Sequence, residues 1–278
     1  SDTWENGGYL QAGVVTSTST LGGAGAGINS FVAALTVPAG TDLLVLALMG
    51  TDNASMSGPW SNVKWNTASN GDGGDAMTQA KSLTVGENNA SIWYIANPTA
   101  AASYIAAGTT PGGVNLDEAN FAAYVITGAN ADALSISTTN QTVSSATALT
   151  QTINPTVAGD IVIDAYAVSD NESVSASGSG QVVVTSANGA SVEHRHISSY
   201  KNAITTTTTL THTLGGSASG AGVSAAFATH PMIPVDITSY EGNLVSMVVL
   251  ADDQCTYTSD DGGGSWVEST TQITKALL

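Results

Sequence analysis

His194 and His196 stand two apart, so on a β-strand both imidazoles fall on one face. That spacing suits two ligands of a transition metal, which needs at least a third donor. Glu193 would point to the opposite face, so the pair reads first as surface histidines of a strand. His212 and His230 stand alone, in solvent or core positions. Asp72 and Asp75 flank two glycines with Asn70 nearby, a loop that could offer oxygens to Ca2+. The full acidic pattern of an EF-hand is absent, and a solvated turn accounts for the same residues. Trp60 and Trp65, with Trp93 and Tyr94, are candidates for a sugar-stacking platform, since each ring offers a large apolar face. Trp93 sits mid-strand and reads as core, and core packing is the alternative for Trp60 and Trp65.

Catalytic patterns are missing. Asp117 and Glu118 would face opposite ways in a strand, whereas glycoside hydrolysis needs two carboxyls roughly 5 to 9.5 Å apart across one sugar. No Ser-His-Asp spacing, nucleophile elbow, phosphate loop or dinucleotide fingerprint occurs. The expectation is a protein that is not an enzyme, with no cofactor beyond a structural Ca2+.

Five Lys and Arg stand against 22 Asp and Glu, a formal net charge of −17. With Arg195 as its single arginine, the chain cannot neutralise a run of phosphates, which argues against nucleic acid as a partner. The same charge disfavours anionic membrane surfaces. It suits a protein working in salty water, where screening removes the repulsion, or an acidic surface that recruits Ca2+. Charged residues are only 10% of the chain, so Ser, Thr, Asn and Gly must supply its polar surface. Cys255 is the one cysteine, which excludes an intrachain disulfide and reads as a small buried hydrophobe. No apolar run is long enough to span a membrane as a helix.

The elements that would position these residues are strands. Short β-type segments between Gly, Pro, Asn and Ser clusters cover 31–37, 43–49, 91–96, 121–127, 160–168, 181–186, 191–200, 205–214 and 223–229. Residues 98–107 hold enough alanine for a helical turn. The fold class is therefore all-β. An ordered internal echo refines it. The run from Pro38 through Gly40 to Ala47 reads like the run from Pro155 through Gly159 to Ala165. Residues 91–94 then parallel 196–200, and 121–125 parallel 223–227. Two half-units of this kind suit a two-sheet sandwich with jelly-roll-like wiring over 28–230. Residues 1–27, rich in Ser, Thr and Gly, read as an extended arm or linker. His230-Pro231 opens a last segment, 231–278.

That last segment carries the most specific motif. Ser259, Asp261, Gly263 and Trp266 occupy the positions of S-x-D-x-G-x-x-W, and the segment resembles the bacterial neuraminidase repeat, or Asp-box. The resemblance implies a β-hairpin turn in which Ser259 and Asp261 bind loop amides, Gly263 gives room and Trp266 packs beneath, away from any catalytic centre. One repeat cannot close a propeller, and sialidase chemistry would need an arginine cluster. Residues 28–230 resemble more loosely the β-sandwich domains of phage virion proteins and secreted bacterial surface proteins. The residues carrying this are Val37 to Gly40, Val63 to Asn66 before Ala76 to Thr78, and Ile92 to Pro98. The resemblance implies a virion structural protein, a capsid decoration or fibre component, located on the virion surface or outside the cell. Its partners would be copies of itself, other surface proteins or host glycans. A carbohydrate-binding module and a subunit of a bacterial surface filament are the alternatives.

Overall fold

A computed structural model gives the fold. It describes residues 30–52, 55–108, 111, 115–127, 129, 136–154, 156, 159–170, 172–186, 194–203 and 206–228, and the backbone of 13–21, 187–188, 232–240, 243–250, 256–259 and 267–269. The chain divides into two compact units, one of residues 12–228 and one of residues 1–11 with 229–278.

The first half of the larger unit holds β1 (Gly13–Leu21), β2 (Phe31–Val37), β3 (Leu43–Thr51), β4 (Lys64–Thr67), β5 (Asp75–Ala76), β6 (Thr78–Val85), β7 (Asn88–Ala96), β8 (Ala101–Ala107) and β9 (Glu118–Thr127). They form a large antiparallel sheet in the order β1-β9-β3-β7-β6 and a small one in the order β2-β8-β4-β5. The chain passes repeatedly between the two sheets, with β4–β5 and β6–β7 as hairpins that stay within one of them. The second half holds β10 (Ile136–Ile153), β11 (Ile161–Ser169), β12 (Val174–Ser177), β13 (Val182–Asn188), β14 (His194–Asn202) and β15 (Thr208–Phe227). Its order is β10-β15-β11-β14-β13, with β12 also on β15.

The two halves repeat one plan. β10, β15, β11, β14 and β13 stand where β1, β9, β3, β7 and β6 stand in the first half. The later part of β10 pairs with the earlier part of β15, Ile153 opposite Thr208, as Val37 of β2 pairs with Ala101 of β8. What the first half makes from two strands, the second makes from one long strand that bends. Register shifts at Val143 to Ala148 turn the β10–β15 ribbon. At Gly220 a side chain would collide with the Ala167 carbonyl, so glycine is required where β15 begins its pairing with β11. The echo in the sequence marks equivalent entries: Gly40 (φ 78°) and Gly159 (φ 100°) both lie in the region that favours glycine, just before β3 and β11.

Burial explains why β3 and β11 read as continuous apolar runs. Every residue of β3 is buried. Leu43, Val45, Ala47 and Met49 pack against Ile161, Ile163, Ala165 and Ala167 of β11 and Val223, Ala225 and Phe227 of β15. Leu44, Leu46 and Leu48 face the other way, onto Phe31, Leu35, Trp60, Trp65 and Ile105 of the small-sheet side. The large sheets are thus covered on both faces, and each half is a sandwich that shares a third core with the other. Each fully buried Leu or Ile contributes about 1.5–3 kcal/mol, and the alanines facing each other across the middle let the sheets close.

Three expectations are corrected. Within 1–27, Gly13–Leu21 is no free arm: it is paired in register with β9 from Gly13 opposite Thr127 to Leu21 opposite Ala119. Its β-branched residues suit a ladder and β9 had an open side. Residues 98–107 form no helical turn but enter β8, because alternation puts Ile105 in the core and Ala34 opposite Tyr104 in the ladder with β2. Within the segments 205–214 and 223–229, residues 208–214 and 223–227 are parts of one strand, β15, since the glycines between them bend the chain without ending its pairing.

In the smaller unit β16 (Met232–Tyr240), β17 (Asn243–Leu250), β18 (Thr256–Ser259) and β19 (Val267–Ser269) form an antiparallel meander. Among the described residues no helix is long and apolar enough to cross a membrane.

Candidate functional site

A strand covered on both faces has nowhere to point a polar side chain except at another one. Asp164 of β11 is fully buried in this way. Its carboxylate accepts the backbone N–H and the hydroxyl of Ser199 on β14, both at 2.7 Å. His212 of β15, also fully buried, donates from Nε2 to the other carboxylate oxygen at 2.8 Å. Gln181 completes the set: its carbonyl accepts the Thr211 amide at 2.9 Å, and its amide donates to the Ser199 hydroxyl at 2.8 Å. With Nε2–H committed to Asp164, Nδ1 of His212 is left as an acceptor, and the hydroxyl of exposed Ser177 on β12 lies 3.4 Å from it. Tyr166 closes the edge of the imidazole in a T-shaped contact.

The connectivity Asp164, His212, Ser177 is that of a general-base relay onto a hydroxyl. Its reach to the serine is long, and the imidazole is sealed within the sandwich. The strong bonds run inward, tying β11 and β14 of the large sheet to β15 of the small layer. The equivalent positions in the first half are Leu46 and Ile105, both fully buried and apolar. The cluster therefore occupies a place where the fold itself needs only hydrophobic contact.

The network continues through the sheet. The Ser198 hydroxyl donates to the Asp164 carbonyl and accepts from Tyr124 of β9. Burial pushes the Tyr124 phenol well above its ordinary value, so it stays protonated and can donate. Along the same interface Asn120 donates to Nδ1 of His196 at 2.7 Å, and His194 meets Glu118 at 3.7 Å. Burial, with His194 adding to it, holds the His196 pKa down to about 3.

The structure relocates several residues singled out in the sequence. His194 and His196 are not surface histidines. They are 3% and 0% exposed because β14 faces the first half's large sheet. Trp60 and Trp65 are both 0% exposed, which removes them as glycan contacts. Trp60 stands edge-on to Phe31, and Trp65 donates its indole N–H to the Thr99 carbonyl at 2.9 Å. Asp72 folds onto Asn70, whose side chain binds both its carboxylate and its backbone amide, while Asp75 accepts from Thr99 at 3.2 Å. The two carboxylates serve different partners, and among the described residues no three acidic, His or Cys side chains are grouped to hold a metal. Ser259 ends β18, whose Thr258 pairs with Val267 of β19, so two paired strands flank the segment that resembles an Asp-box; Asp261, Gly263 and Trp266 lie outside the described residues. Comparison with protein-family models, curated proteins and solved structures returned no match.

Asp164→Asn leaves His212 and Ser199 without their charged acceptor and should cost about 3–5 kcal/mol in denaturant unfolding, whereas Asp164→Leu with His212→Ile, copying the first half, should lose much less. Ser177→Ala should shift stability by under about 1 kcal/mol. For His196, the unfolded chain takes up a proton near pH ~6.5 and the folded one only near pH 3. Between these values the unfolded state binds more protons, so stability falls as the pH drops. Relative to wild type, His196→Gln should flatten that fall by about 1.4 kcal/mol per pH unit.

Proposed function

We propose that this chain is a non-enzymatic structural protein of a virion or extracellular surface, a phage capsid decoration or fibre component in its concrete form, acting by self-assembly and adhesion. The observation that supports this reading is how the duplicated sandwich uses its reactive side chains. Asp164 with His212, and Glu118 with His194, are buried between layers, where they join sheet to sheet. What the block turns outward is largely uncharged: sheet edges and rows of Thr such as Thr150, Thr152, Thr211 and Thr213. Such surfaces suit packing against neighbours and tolerate salt. The Asp-box resemblance of the last segment adds a motif common outside the cell.

One observation favours the carbohydrate-binding alternative. A shallow groove of about 490 Å³ lies over β2 and β8, lined by Ala34, Thr36, Ala102, Ser103 and half-buried Tyr104. A single aromatic on a floor of small residues could seat one sugar ring. Light scattering of the full chain over a wide concentration range at about 0.15 M salt separates the two. Self-assembly requires a discrete oligomer or polymer. A monomer throughout, with glycan binding lost in Tyr104→Ala, would replace it by the binding-module reading.

A further inference from the structure

We infer that the β13 edge of the second sandwich, with β1 beside it, is the surface through which two copies of this chain pair strand to strand. The inference rests on the self-assembly reading and names its surface.

An edge strand presents unpaired amides and carbonyls, and proteins that stay monomeric blunt such edges with charge or cover. The duplication allows a comparison within one chain. β6 and β13 hold the same place at the ends of the two large sheets. β6 carries Lys81, and the long connection from β3 to β4 lies along its end. In that cover Thr84 donates to the Gly58 carbonyl at 2.8 Å, and the Met56 amide binds the Gly86 carbonyl at 2.9 Å. The equivalent connection from β11 to β12 runs only from Asp170 to Ser173. β13 is left with Val182 47% and Val183 37% exposed, and among the described residues the one other exposed large hydrophobic is Val32. Arg195 holds the Ser186 carbonyl at 3.0 Å, and the ladder shifts between Val183 and Thr185, so the open stretch is Val182 to Val184. This stretch is short. β1 ends the other large sheet and lies beside β13.

Charge selects the occupant. Two copies at −17 each repel over most of their surfaces. From Ser173 to Val192 there is no charged residue, and Gly13–Leu21 has none either. Two copies can approach there without opposing like charges, and antiparallel pairing about a two-fold axis sets each Val182–Val183 edge against its own counterpart. Salt screens the repulsion between two chains of this net charge, so it should tighten the pair.

The test compares the full chain with Val182→Lys, Val183→Lys and the control Val32→Lys by light scattering over concentration, with circular dichroism confirming the fold. Wild type should dimerise more tightly as salt rises from ~0.05 to ~0.5 M. Each edge variant should weaken the dimer at least tenfold, and Val32→Lys should not. If a lysine variant unfolds, hydrogen exchange of wild type decides instead: association should protect amides of 182–184 and of β1. Folded edge variants that assemble like wild type, or association that protects other strands, would overturn this surface and leave self-assembly standing. A wild type that is monomeric throughout would overturn both.

Discussion

Asp164 makes bonds on both faces of its strand, and the arrangement of the second sandwich can be traced from it. On one face its carboxylate gathers His212, Ser199 and, through them, Gln181. On the other its carbonyl receives Ser198, which receives Tyr124 from the first sandwich. One residue thereby links three successive layers by hydrogen bonds, in a region where apolar contact alone would allow sheets to slide. A carboxylate so deeply buried is tolerated because each bond to it is charge-assisted. Its presence does not imply extra stability, since a buried pair often contributes no more than an apolar one would. What it supplies is a fixed register between layers.

The comparison between halves shows what was optional. Leu46 and Ile105 fill the places of Asp164 and His212, and that sandwich closes as well. The shared core is divided in the same way. Where β7 meets β15 the contact is apolar, with Tyr94 edge-on to Phe227. Where β9 meets β14 it is a polar series of Glu118 with His194, Asn120 with His196 and Tyr124 with Ser198. The repeated plan constrains strand order and burial. It leaves open whether a given contact is oily or hydrogen-bonded.

The strands and the repeat were legible because turn chemistry is local: Pro38 with Gly40 and Pro155 with Gly159 announce β3 and β11 wherever the rest of the chain goes. The site was much less so. Asp164, Ser177, Ser199 and His212 come together only through the registers of four strands, and no spacing in the sequence encodes that. The shared face of His194 and His196 followed from their spacing, but its direction did not. A strand with both faces buried breaks the rule that one face is wet, and a polar face then passes for a surface. Trp60 and Trp65 misled for a related reason. They lie in irregular or short segments that the small sheet nevertheless draws into its core.

A core shared between β3 and β11 makes the two sandwiches one cooperative structure. Native-state hydrogen exchange of the β3 and β11 amides against denaturant tests this directly. If the sheets bury each other, both sets should open only by global unfolding, and their exchange free energies should merge onto one line with denaturant. Amides of β11 that open well below those of β3, with a smaller denaturant slope, would mean two sandwiches that merely touch.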